Sequence, residues 1–171
     1  MKRSHLLAIV LLLGAAVGYG FWRSRPRRCY QERGGFSYEL PKGWWARYFC
    51  GPKYRSAFGP IINEKQTSIA ATDNTHEGPL EEFVDIALAA RRESRSAFTE
   101  ISREDFVTAD GTPGIKVTTE LEENNKPLRH ALYFFGRGDT KFTIICEAPV
   151  DGSGPLGPVF DAAMKTFRFD K

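Results

Sequence analysis

Hydrophobic and polar positions change rhythm along this chain, and each rhythm predicts an element. Leu6 to Trp22 is uninterrupted, with apolar, small or aromatic residues and no charge. From Phe36 the period becomes two: Phe36-Ser37-Tyr38-Glu39-Leu40 alternates as a half-buried strand does. Pro41-Lys42-Gly43 reads as a turn and Trp44 to Phe49 as the returning strand of a hairpin. Gly51 to Pro60, with two prolines and two glycines, reads as a loop, and Thr67 to Thr72 has strand composition.

The period then lengthens to that of a helix. Gly78-Pro79 opens it, and Leu80, Phe83, Val84, Ala87 and Leu88 form one apolar stripe. Glu81 and Glu82 suit its positive end, and Arg91, Arg92 and Arg95 its negative end. Strands are predicted at Phe98 to Phe106, Ile115 to Leu121, Leu128 to Phe135 and Lys141 to Ala148. Short polar turns separate them, so they form an antiparallel meander. A last helix is expected from Pro155 to Phe167, buried through Leu156, Val159, Phe160, Ala163, Met164 and Phe167, with a short strand contact at Phe169. Two amphipathic helices and an antiparallel sheet predict an α+β architecture, the sheet sandwiched by helices. The organisation expected is a transmembrane or signal-anchor segment over 1–22, a basic, Gly-containing linker over 23–35 and one α+β domain over 36–170.

Charge makes the first segment a membrane address. Lys2 and Arg3 precede Leu6 to Trp22, and Arg23, Arg25, Arg27 and Arg28 follow it. Seventeen helical residues reach about 25 Å, enough for a bilayer core of about 30 Å when the flanking arginines snorkel. The segment reads as a retained anchor or as a signal peptide later removed; its length and the closing Tyr19, Phe21 and Trp22 favour the anchor. Arg23, Arg25, Arg27 and Arg28 are expected at anionic lipid head groups. Orientation divides the signals. The arginines after the helix favour a cytoplasmic domain, whereas the Lys-Arg opening directs export, and the extracytoplasmic side is preferred by a small margin.

With the six basic side chains of the first 29 residues set aside, 18 of the 24 remain against 21 acidic, a net charge of −3. That balance gives no reason to expect nucleic-acid binding. The cysteines are Cys29, Cys50 and Cys146. In the expected hairpin Gly34 lies opposite Cys50, so Cys29 is placed to fold back, and Cys29–Cys50 is the disulfide candidate. The other reading has Cys146 as a buried strand residue and no bridge at all.

Catalytic and metal signatures are weak. His5, His76 and His130 make no tight ligand spacing. His76 lies near Asp73 and Glu77, and a solvated loop explains these three better than a cation site. Gly-x-Ser-x-Gly and the phosphate-loop motif do not occur. Cys146 and His130 fall on neighbouring strands, but Ile144 and Ile145 beside Cys146 point to core packing. Glu81-Glu82 and Glu122-Glu123 are adjacent pairs whose side chains diverge. Arg137-Gly138-Asp139 matches the integrin-type tripeptide and equally well a tight turn. No cofactor is implied. The strongest candidate is aromatic. Trp44, Trp45, Tyr48, Phe49, Tyr54 and Phe58 cluster, and strand alternation sends Trp44 and Trp45 to opposite faces. One enters the core. The other, Trp45, with Arg47, Lys53 and Arg55, is the candidate docking patch. Alternatively, loop and helix cover both tryptophans.

Phe36-Ser37-Tyr38-Glu39-Leu40-Pro41-Lys42-Gly43-Trp44 resembles the F-x-x-x-x-P-x-G-W opening of PsbP-like and Mog1-like domains. Leu80 to Phe83, Gly114-Ile115-Lys116-Val117, the Tyr133 hairpin and the closing Thr166-Phe167-Arg168-Phe169 follow in the same order, over residues 34 to 170. The resemblance implies the Mog1/PsbP-like fold and a non-catalytic binding or assembly module of the cell envelope with a protein partner. The alternative is a small envelope enzyme, a hydrolase or a thiol-dependent protein, or a cleaved, secreted protein of the same fold. The chain lacks the lipid-attachment cysteine of the bacterial lipoproteins in that family.

Overall fold

The computed structural model describes residues 28–31, 35–47, 56–95 and 97–170. In chain order the elements are β1 (Arg28–Gln31), β2 (Phe36–Glu39), β3 (Trp45–Arg47), β4 (Ser56–Ile62), β5 (Lys65–Thr75) and α1 (Leu80–Ser94). They continue with β6 (Thr99–Val107), β7 (Pro113–Glu123), β8 (Lys126–Arg137), β9 (Thr140–Pro149), α2 (Val150–Lys165) and β10 (Arg168–Phe169). A seven-stranded sheet runs β3-β4-β5-β9-β8-β7-β6, and a three-stranded sheet runs β1-β2-β10. Every pairing is antiparallel.

Strand alternation divides the large sheet into two faces. Ala57, Ile69, Cys146 and Ala131 stand in register across β4, β5, β9 and β8 and join the main core. Helix α2 and the small sheet close that core through Phe36, Tyr38, Phe160, Met164 and Phe167. Phe135 stacks on Phe167 at 4.0 Å, and Phe36 meets Phe142 edge-on at 5.2 Å. On the opposite face Phe83, Val84 and Leu88 of α1 pack on Ile115, Val117, Leu132 and Phe134 of β7 and β8. The helices therefore flank the sheet as the period of the apolar stripes predicts.

Four local expectations change. First, β2 and β3 do not form a hairpin. Trp44 N–H donates to the Pro41 carbonyl at 3.0 Å, but beyond that turn β2 joins the small sheet and β3 the large one. The partner of β2 is β1, with Cys29 opposite Tyr38, so residues 28–31 are a strand where a linker is expected. The hairpin placement that suggested Cys29–Cys50 is absent. Cys29 is buried in the core, and Cys50 lies outside the described residues.

Second, Ser56 to Pro60 is strand, not loop. The ladder shifts register between Phe58 and Ile61, and side chains satisfy the interrupted carbonyls: Gln66 Nε2 donates to Gly59 O at 2.5 Å and Thr67 Oγ1 to Pro60 O at 2.8 Å. Gly59 is there for space, since a Cβ would stand 2.3 Å from the Trp44 indole. Third, α2 begins at Val150, ahead of Pro155. Asp151-Gly152-Ser153-Gly154 precede the predicted start, yet Gly152 lies where a Cβ would be 2.6 Å from Ile62, and Ser153 Oγ donates to Val150 O at 2.8 Å.

Fourth, Arg28 does not face lipid. Its side chain is largely buried, donates from Nη2 to Thr166 O at 3.2 Å and lies 3.6 Å from Glu39. An arginine engaged at the α2 terminus is not available to head groups. Leu6–Trp22, Arg23, Arg25 and Arg27 lie outside the described residues. Among the described residues no helix is long and apolar enough to cross a membrane.

Candidate functional site

The register excludes a dyad of Cys146 and His130. Ala131 pairs with Cys146 and His130 with Glu147, so period-2 alternation puts the thiol and the imidazole on opposite faces. Burial pushes the Cys146 thiol well up, and the nearby Asp161 charge adds to this. A thiol held protonated in a core is a packing group.

His130 instead meets Glu147, with Nε2 at 3.0 Å from Oε2. Lys65 Nζ lies 3.7 Å from the other Glu147 oxygen and also contacts Glu123, which Arg95 reaches at 3.4 Å. Burial pushes the Glu147 carboxyl up, but the His130 hydrogen bond and the His130 and Lys65 charges outweigh it and hold it below the ordinary range. On the other face Tyr133 O–H donates to Asp161 Oδ1 at 2.6 Å, and Lys116 bridges Asp161 and Glu104 at 2.9 and 3.0 Å. Burial, followed by Cys146 and the Asp161 hydrogen bond, raises the Tyr133 hydroxyl far above its usual range. Both clusters pair acid with base and tie strands together.

His76 lies 3.8 Å from Glu82, and its ring lies 5.8 Å from that of Phe83. Among the described residues no group of three or more His, Cys, Asp and Glu side chains is placed to hold a metal ion. Arg137 is likewise engaged, donating to Gly35 O at 3.3 Å and Asp170 O at 3.2 Å with its guanidinium 5.0 Å from the Phe169 ring.

The tryptophan pair separates as strand alternation requires. Trp44 is 6% exposed and meets Phe160 edge-on at 5.8 Å. Trp45 is 49% exposed, and its ring lies 5.0 Å from Phe58 on the paired strand. Arg47 occupies β3 opposite Ser56. Lys53 and Arg55, the other two members of the patch, lie outside the described residues.

The setting of Trp45 is decided by the width of the sheet. Trp45, Phe58, Ser68, Glu147 and His130 form one row across β3, β4, β5, β9 and β8 on the α1 face. Arg47, Ser56, Ala70, Ile145 and Leu132 form the next row. Helix α1 packs on β7 and β8, and one helix about 10 Å across cannot cover seven strands about 4.8 Å apart. Phe58, Ser68, Ala70 and Ile145 are therefore only half-buried, while Ala57, Ile69, Ala71 and Cys146 on the other face are sealed. The site is a shallow trough with Trp45 and Phe58 on one side and α1 on the other. Ser68, Ala70, Ile145 and Ile86 escape a sequence reading. Their signal is the small, mixed side of Thr67-Ser68-Ile69-Ala70-Ala71-Thr72, and Ile86 lies outside the apolar stripe of α1.

A wide antiparallel sheet with α2 and a small sheet on one face and α1 on the other defines the PsbP/Mog1-like fold. Three solved structures show this likeness. LpqN of Mycobacterium tuberculosis, described as involved in cell envelope biogenesis, superposes with a TM-score of 0.62 at 11% identity, over 86% of this chain and 87% of that one. Cyanobacterial PsbP (CyanoP) from Synechocystis sp. PCC 6803 gives 0.60 at 11% identity, over 84% and 91%. The Ran-binding protein Mog1p of Saccharomyces cerevisiae gives 0.56 at 9% identity, over 85% and 95%. No family model and no curated protein sequence matches the chain.

Proposed function

We propose that this protein is a non-catalytic binding or assembly module of the cell envelope. Leu6–Trp22 holds it at the membrane and its domain lies on the extracytoplasmic side. The carrying observation is the half-exposed Trp45–Phe58 pair beside an open half of the sheet, in a domain whose ionisable clusters are internally paired. Tryptophan is enriched among the few residues that carry most of the binding energy of protein contacts. Mog1p as a Ran-binding protein and LpqN in envelope biogenesis support the class. Arg47, Lys53 and Arg55 supply the charged margin of the contact, and Arg23, Arg25 and Arg27 the lipid contact.

A photoreactive phenylalanine analogue at Trp45 tests the contact in the native host, with the same analogue at exposed Ile101 on β6 as control. The expected result is one protein adduct from position 45 that position 101 does not give, weakened by Arg47→Ala. Equal adducts from both positions, or none at 45, sink the reading. Impermeant maleimide labelling of the cysteines before and after lysis, under denaturing and reducing conditions for total thiol, reports the side of the membrane. The mass of the mature chain distinguishes an anchor from a cleaved, secreted form.

A further inference from the structure

The open half of the sheet has a definite shape. From β9 to β3 there are three inter-strand steps, about 14 Å in all. That is the footprint of one helix lying beside α1 at the usual separation of about 8–10 Å. Its floor carries small side chains, Ser56, Ser68 and Ala70; β3 at its outer edge carries Trp45 and Arg47, Phe58 of β4 stands beside Trp45, and Ile145 lies toward α1. Small residues under large walls leave depth for the knobs of an incoming helix.

Backbone chemistry excludes a strand on this floor. β4, β5 and β9 are interior strands whose peptide groups are paired on both sides, so they offer side chains only. The floor also makes no unmet charge demand, because the Glu147 carboxylate is held by His130 and Lys65.

The wall formed by α1 adds a sign. Asp85 and Arg92 reach Arg103 and Glu100 of β6, which fixes the outer flank of the helix. At 100° per residue Ile86 and Ala90 fall on the opposite flank, toward the trough, with Glu82 and Glu93 above them. Ile86 is 51% exposed. Glu82 leans the same way, 3.8 Å from His76 at the end of β5. An apolar wall topped by two carboxylates suits a cationic edge on an occupant lying beside α1.

We infer that the trough between Trp45 and the Ile86 flank of α1 receives one amphipathic helix of a protein partner. That helix is apolar along one stripe and carries Lys or Arg on the edge that meets Glu82 and Glu93. This rests on the binding-module reading and names the chemistry of its partner. The helix lies along α1, its apolar side chains entering over Ser68 and Ala70 and ending against Trp45 and Phe58.

The test is a selection from displayed peptides of about 18 residues, long enough for about 27 Å of helix. Half the library is patterned at i, i+3, i+4 and i+7 and half at period two, with the polar positions free to take either charge. The target is the full-length chain in lipid nanodiscs, after depletion on empty nanodiscs. Helix-patterned clones with basic edges are expected to win. Their binding falls at least about tenfold with Trp45→Ala and with Ala70→Leu, which fills the floor. Glu82→Lys with Glu93→Lys transfers preference to acid-edged clones. Unchanged urea midpoints certify the folds, and Ile86→Ala replaces Ala70→Leu if that variant unfolds. Winning period-two clones that need Trp45 overturn the helix and leave the binding-module reading standing. Clones indifferent to Trp45→Ala overturn both. Trp45-dependent association of the nanodisc-held chain with added anionic vesicles assigns the trough to membrane and overturns the proposal.

Discussion

Gly59→Ala is the sharpest test of how β4 sets up the Trp45 rim. The added Cβ would stand 2.3 Å from Cε2 and Cζ2 of the Trp44 indole and 2.7 Å from Thr67 Oγ1. The indole is rigid, buried and backed by Phe160, so it cannot swing aside as a flexible chain end would. Either β4 shifts outward or the indole gives up part of its contact. Overpacking of this kind costs about 1–3 kcal/mol, and complete loss of the indole's packing sets a ceiling of about 3–5 kcal/mol. Because Trp44 is the obstacle, much of the cost is expected to vanish in a Trp44→Leu background. A double-mutant cycle in urea should give a coupling of about 1–2 kcal/mol. Phe58 is the preceding residue, so an outward shift of β4 also disturbs the Trp45–Phe58 contact and the emission of Trp45. A Gly59→Ala variant within about 0.5 kcal/mol of the parent, or a cost untouched by Trp44→Leu, refutes the close-approach account.

Glu147 gives a pH prediction. Its carboxyl is held below the ordinary range when folded, so its contribution is present above an unfolded value of about 4.3 and is lost as pH falls through the folded value. Glu147→Gln should flatten the acid limb of stability measured from about pH 7 to 3; an unchanged limb refutes the His130–Glu147–Lys65 account. Cys146 should react with a thiol reagent only at the rate of unfolding, followed in a variant with Cys29 and Cys50 replaced by serine, and prompt native reaction would reopen a thiol chemistry. Arg28→Ala should lower stability by about 1 kcal/mol through loss of its bond to Thr166 O, with vesicle binding unchanged. Loss of vesicle binding without loss of stability would return Arg28 to the lipid surface.

Local rhythm fixed much of this protein. The stripe Leu80, Phe83, Val84, Leu88 became α1 and the alternation of Ile115 to Leu121 became β7, because side-chain period follows directly from backbone geometry, while the polar turns marked off β6, β8 and β9. The separation of Trp44 from Trp45 was legible for the same reason. The partners of strands were not. Whether β2 returns on β3 or departs to meet β1 and β10 depends on long-range pairing that no local pattern encodes, and with it went the basis for Cys29–Cys50. Gly59 reads as a loop residue because sequence cannot distinguish a glycine needed for rotation from one needed for room. The trough lay furthest from view. Ser68, Ala70 and Ile86 gain meaning only from the width of a seven-stranded sheet under one helix, a packing relation that exists only once the chain has folded.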